Sequence, residues 1–179
     1  MSARRLYVTG AAGTGTTSLG RALAARLDLP HIDTDDHFWL ESDPPFTARR
    51  APAARRASLA AALGQQGWVV SGACDDWGGD LMAAADLVVF LSLAPALRLI
   101  RLRQREAARH GARIAPGGDM ETIHRSFLDW AMGYDDADAP GRSRRRHEAW
   151  LAHQPAPVLR LDAGQPLDVL SDAVVAACR

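Results

Sequence analysis

An α/β fold with a parallel sheet is predicted by three observations. Short apolar runs suited to strands alternate with longer helical patterns along the 179 residues. One run, Leu87-Val88-Val89-Phe90-Leu91, is apolar without a break, as a strand covered on both faces must be. The first strand passes into the first helix through a glycine-rich turn, Gly10-Ala11-Ala12-Gly13-Thr14-Gly15-Thr16-Thr17.

The elements follow in order. Leu6-Tyr7-Val8 lies in a strand over about 5–9, and a helix covers about 15–27. His31-Ile32-Asp33, after the break at Pro30, is a second strand; 34–47 reads as irregular, with Pro44-Pro45. A helix is expected from Pro52, since proline suits a first turn, to Gln66, with Gly64 and Gly67 closing it. Trp68-Val69-Val70-Ser71 is a third strand ending at Gly72, and Asp80 to Ala85 suits a short helix before the fourth strand at 87–91. A long helix runs from Pro95 to about His110, followed by a loop to Gly118. Asp119 is expected to cap a helix to Tyr134, and Ser143 another to His153, across a polar linker at 135–142. Pro157 to Leu161 is the fifth strand and Pro166 to Cys178 the last helix. The sum is five strands wrapped by helices on both faces, in one domain over 1–179.

Composition narrows the function. Hydrophobic content is 47% and formal net charge is zero, which gives no bulk attraction to nucleic acid or anionic membrane. No apolar run is long enough to span a bilayer, and no signal segment is apparent. Cys74 and Cys178 make neither a metal spacing nor a disulfide framework, and the six histidines lack metal-ligand spacing. A cytoplasmic protein, monomer or homodimer, without membrane or nucleic-acid partners is expected.

The turn carries the chemistry. Gly10, Gly13 and Gly15 permit backbone N–H groups to converge on an anion, with Thr14 within the loop. The next helix aims its free N–H groups and dipole at the same point. The Thr17 hydroxyl suits Mg²⁺, with Ser18 beside it. The frame is that of a Walker A loop, G-x-x-x-x-G-K-[ST], with one departure: Thr16 stands in place of lysine. The chain has no lysine; all 21 basic residues are arginine. A general bias toward arginine would put arginine at 16, so the cation must come from an arginine elsewhere or be absent.

Two groups of residues bear on that charge. Asp33, Asp35 and Asp36 follow the second strand, at the edge where α/β sheets bind ligands. A carboxylate there suits a Mg²⁺-bound water or a substrate hydroxyl proton. Arg98, Arg101, Arg105 and Arg109 recur at spacings of three and four, one face of the long helix, which leads into a Gly/Pro loop like a phosphate-gripping lid. Arg49, Arg50, Arg55 and Arg56 suit an anionic acceptor or an exposed helix start, and Arg142, Arg144, Arg145 and Arg146 a second cation source or a basic turn. Phe38 and Trp39 suit base stacking or the core; Asp75 suits orientation of a substrate.

This order of parts resembles the P-loop small-molecule kinases of the adenylate kinase and shikimate kinase group. The resemblance rests on Gly10 to Ser18, Asp33-Thr34-Asp35-Asp36, Ser71-Gly72 to Gly79, and Arg101 to Gly118. More narrowly, Gly15-Thr16-Thr17-Ser18 and Pro116-Gly117-Gly118-Asp119-Met120 are similar to bacterial lysine-less relatives labelled AAA-family ATPase or adenylate kinase. The resemblance implies a three-layer sandwich with a parallel sheet in the order 2-3-1-4-5. It implies an acceptor-binding segment at about 34–67, a lid at about 101–120, and an adenine-facing loop at Asp162 to Pro166. In shikimate-type kinases the first acid of a D-x-D serves Mg²⁺ and the second grips the acceptor; Asp33 and Asp35 match. The expected activity is ATP-dependent phosphoryl transfer to a nucleoside monophosphate or hydroxyl metabolite. Thr17 and Asp33 would hold Mg²⁺, Asp35 would act on the acceptor, and Arg101, Arg105 or Arg109 would replace the lysine. The alternative is a pseudokinase that binds nucleotide without catalysis. A GTPase is disfavoured, since no N-K-x-D motif exists.

Overall fold

The computed structural model describes residues 4–139 and 141–179. Five strands, β1 (Arg5–Gly10), β2 (His31–Asp33), β3 (Trp68–Ser71), β4 (Leu87–Ser92) and β5 (Val158–Asp162), form one sheet in the order β2-β3-β1-β4-β5. Every pairing is parallel. This is the order that the resemblance implies. The helices are α1 (Thr16–Leu27), α2 (Thr34–Phe38), α3 (Pro52–Leu63), α4 (Pro95–His110), α5 (Glu121–Met132), α6 (Arg144–Leu151) and α7 (Leu167–Ala177).

The middles of the central strands are apolar because both faces are covered. Leu6 and Val8 of β1, with Leu87, Val89 and Leu91 of β4, pack on Leu19 and Leu23 of α1 and Leu170 and Val174 of α7. The alternate residues Tyr7, Val88 and Phe90 face Leu59 of α3, Met82 and Leu151 of α6. Leu19, Leu23 and Leu59 are fully buried, and each contributes about 1.5–3 kcal/mol of transfer free energy. The register aligns Asp33 with Ser71 and Gly10 with Leu91, so the strands end along one edge.

Four local expectations are corrected. Residues 34–38 are helical rather than irregular, because the Asp33 side chain caps α2 by accepting from the Asp35 amide. The helix from Pro52 stops at Leu63, where Gly64 turns the chain with φ of 55°. The helix expected over 80–85 is a 3-10 turn at Leu81–Ala84. Asp119 does not cap α5; Met120 occupies that position without a side-chain bond. The Asp119 carboxylate instead takes the Arg113 guanidinium, with Nη2 at 2.6 Å, and a charge-assisted fork outcompetes a single backbone donor. Ser143 does cap α6, accepting from the Arg146 amide. Of the expected linker at 135–142, Pro140 lies outside the described residues.

Candidate active site

The glycine loop leaves the sheet between β1 and β4. A side chain at Gly10 would place Cβ 2.5 Å from the Leu91 carbonyl oxygen, so only glycine permits this exit. Gly15 adopts φ of 94°, with open space around it, and serves as N-cap of α1 without a side-chain bond. Among the described residues the first-turn amides of α1 therefore have no capping side chain, the arrangement that suits an anion. Thr14 is buried and turns inward, its hydroxyl donating to the Ala11 carbonyl at 2.8 Å, so it braces the loop. Thr16 is half-buried and Ser18 exposed; neither side chain makes a hydrogen bond among the described residues. The Thr17 hydroxyl donates to Asp33 Oδ2 at 2.9 Å, while Asp33 Oδ1 accepts from the Asp35 amide at 3.1 Å. One carboxylate therefore ties the loop to α2.

The arginine row on α4 divides. Arg98 is 1% exposed, paired with Asp135 and bonded to the Ala131 carbonyl, and it lies 5.1 Å from the Tyr134 ring centroid. Arg101 donates to the Ala163 carbonyl at 2.9 Å, in the loop after β5. Arg105 pairs with its neighbour Glu106 at 2.9 Å and lies over the Phe127 ring. Arg109 is exposed and without an ion pair among the described residues.

The guanidinium in contact with the glycine loop belongs to Arg142. Its Nη2 donates to the Gly10 carbonyl, across 132 residues of sequence, and its buried Nε has no partner among the described residues. Arg142 acts on Asp35 too. Desolvation by the surrounding protein, and then the Asp33 charge, raise the Asp35 pKa, while Arg142 and Arg105 oppose the rise; the side chain itself remains solvent-exposed.

Sequence reasoning assigned no role to His147, which is fully buried behind this site. Its Nε2 lies 3.1 Å from Thr9 Oγ1 and 3.5 Å from Asp75 Oδ1, and its Nδ1 lies 3.0 Å from the Tyr134 hydroxyl. Burial pushes its pKa down to about 3, so the ring is neutral and carries a single N–H. Nothing in the sequence around it marks it; α6 brings it to β1.

Beside Asp35 opens a cleft of about 350 Å³, bordered by Asp36, Trp39, Glu41, Phe46 and Arg50. It lies in the segment expected to bind the acceptor. Phe38 and Trp39 pack edge-to-face at 4.8 Å, and Phe38 meets Trp77 at 6.0 Å. Arg113, in the expected lid, bridges Asp119 and Asp43, the latter at 2.7 Å on the loop bordering this cleft.

The five-stranded parallel sheet in the order β2-β3-β1-β4-β5, with the glycine loop between β1 and α1, matches the P-loop kinase fold. The sequence matches the AAA domain family (AAA_18) over residues 6–124, and the chain belongs to that family. YqaC of Bacillus subtilis (strain 168) is 41% identical over 160 residues, spanning 89% of this chain and 88% of that protein. Similar solved structures include a shikimate kinase from Bacteroides thetaiotaomicron, at TM-score 0.60 and 18% identity, covering 99% of each chain. A gluconokinase from Sinorhizobium meliloti 1021 aligns at TM-score 0.55 and 17% identity, covering 97% of this chain and 90% of its own. A sugar kinase from Janibacter sp. HTCC2649 aligns at 0.51 and 18%, covering 97% and 93%. These structures establish the shared fold. No helix among the described residues is long and apolar enough to cross a membrane.

Proposed function

We propose that this protein transfers the γ-phosphoryl group of ATP to a hydroxyl of a small molecule. The Thr17–Asp33 contact at 2.9 Å, at the end of an open glycine loop and beside a cleft, carries the reading. Mg²⁺ would be held by the Thr17 hydroxyl and the Asp33 carboxylate, where it neutralises phosphate charge. Among the described residues no group of three or more His, Cys, Asp or Glu could hold a metal by itself. That suits an ion completed by phosphates and water rather than a cage made by protein alone.

The rest of the chemistry belongs to the chain. The glycine loop and the α1 amides bind the phosphates. Asp35 orients the acceptor hydroxyl and accepts its proton, from its place between the glycine loop and the cleft. The acceptor oxygen bonds to the γ-phosphorus while the bond to the β–γ bridging oxygen breaks, and ADP leaves. Arg142 supplies the positive charge that Thr16 cannot, and its Nε, without a partner among the described residues, is a donor in reserve. Arg101 and Arg105 remain available to a closing lid by exchanging their present partners. Thr16 also favours a second reading, a nucleotide-binding module without turnover.

The test is ADP release with Mg²⁺ across nucleoside monophosphates, sugars and hydroxy acids. Turnover is expected with at least one acceptor, and Asp33→Asn is expected to lower kcat about 100-fold and raise the Mg²⁺ requirement. ATP binding by calorimetry with no ADP release from any acceptor would select the non-catalytic module.

A further inference from the structure

We infer that Asp135 is a positioning residue that holds Arg142 against the glycine loop, by pairing at once with Arg98 and Arg144. The inference rests on the kinase reading above, in which Arg142 supplies the charge that Thr16 lacks.

The segment that carries Arg142 is shaped by its own neighbours. Gly141 turns the chain with φ of 86°, and its carbonyl accepts from Arg146 Nη1 at 3.0 Å. Ser143 is buried and caps α6. These contacts are local, so they do not fix where the segment sits relative to the loop after β1. His147 ties α6 to Thr9 further along the helix. At the start of the helix that task falls to Arg144, whose Nε and Nη2 donate to Asp135 Oδ1 at 2.8 and 2.6 Å.

The other Asp135 oxygen, Oδ2, pairs with the buried Arg98. Arg98 is itself held, with Nη1 donating to the Ala131 carbonyl at 3.3 Å. Its backbone abuts the glycine loop: a Cβ at Gly13 would lie 2.9 Å from the Arg98 carbonyl oxygen. A ring of contacts therefore leaves the loop at Gly13, passes through Arg98, Asp135, Arg144 and Arg142, and returns at Gly10. Asp135 is the only acid in that ring. Charge-assisted pairs on both of its oxygens give the ring direction as well as strength.

Electrostatics point the same way. The Arg98 and Arg144 guanidinium groups lie 5.1 and 6.0 Å from the Tyr134 ring centroid. Burial lowers the Arg98 pKa and Asp135 opposes the lowering, while the Arg144 and Arg142 charges add to it. Three like charges thus gather beside the loop, and the Asp135 carboxylate offsets their repulsion. Without it Arg144 is released, the repulsion on Arg142 rises, and the bond to the Gly10 carbonyl loosens.

A double-variant cycle on the full chain tests this, with Mg²⁺-ATP affinity read by calorimetry and stability by thermal melting. Asp135→Asn is expected to weaken ATP binding about tenfold. In the Arg142→Ala protein the same substitution is expected to change ATP affinity by less than about twofold. It should lower Tm in both backgrounds, because Arg98 loses its counter-charge in both. A merely structural role would weaken ATP binding by the same factor in both. That result, or unchanged affinity in folded Asp135→Asn, overturns the inference, as does native protein that binds no ATP. If Asp135→Asn does not fold, the exposed Arg144→Gln takes its place. Binding about threefold weaker is then expected in the native background and no change in Arg142→Ala, and equal effects or none overturn the inference. ADP release with nucleoside monophosphates, sugars and hydroxy acids is measured in parallel. The expected cycle in ATP binding without ADP release counts against the kinase reading alone.

Discussion

Two arginine-rich stretches approach the glycine loop, and their guanidinium groups meet different fates. On α4, regular spacing sets Arg98, Arg101 and Arg105 along one side, yet Arg98 is sealed in a buried pair with Asp135 while Arg101 and Arg105 rest on Ala163 and Glu106. The stretch before α6 has no such regularity, yet its first arginine, Arg142, bonds the loop at Gly10. Helical spacing tells which side chains share a face; it does not tell what that face meets. A buried arginine is held by the partners that offset its desolvation, and Arg98 is committed in that way, with burial lowering its pKa against the pull of Asp135.

The sharpest way to break the comparison is to delete one arginine from each stretch. Arg142→Ala is expected to lower kcat/KM for ATP by about 100-fold or more, as loss of a transition-state donor does, and Arg105→Ala by about tenfold. Steady-state kinetics decide between them; the reverse ranking would move the compensating charge to the lid. A second experiment asks whether Arg142 stands in for the missing lysine. Thr16→Lys placed in the Arg142→Ala protein should recover about tenfold of the lost turnover, because a mobile cation is restored at the loop. No recovery, in a variant that still binds ATP, would assign Arg142 to holding the loop's shape.

The smallest effect concerns stability. His147 lies on α6, the helix that follows Arg142, and is anchored by Thr9, Asp75 and Tyr134. Folded, it stays neutral to about pH 3, whereas in the unfolded chain it takes a proton below roughly 6.5. Its contribution is therefore complete above that unfolded value and declines as pH falls, by at most about 1.4 kcal/mol per pH unit. Urea unfolding at pH 7 and pH 5 should show a steeper acid loss for the native protein than for His147→Gln. Equal losses would mean that His147 is hydrated or protonated in the folded state.

Much of this was legible before any coordinates. The unbroken run at Leu87 to Leu91 does lie in a strand buried on both faces, and the loop from Gly10 to Thr17 does join strand to helix. Asp33 does meet Thr17. Other points were hidden because a side chain suited to one partner by local rules is claimed by another in the folded chain. Asp119 is a sound N-cap by local rules, but Arg113 claims its carboxylate. Arg49 and Arg55 are suited to an anion in isolation, but aromatic rings lie within reach of both.

The sequence by itself determined the strand-and-helix alternation, the glycine loop with threonine at its lysine position, and the Asp33 and Asp35 pair at the end of β2. These depend on periodicity, glycine geometry and short spacings, all of which are local. Only the tertiary structure decided which arginine touches the loop, that His147 joins Thr9, Asp75 and Tyr134, and that a cleft opens beside Asp35. Those outcomes depend on which charges find partners when distant segments pack together, and desolvation settles that competition after the chain has folded.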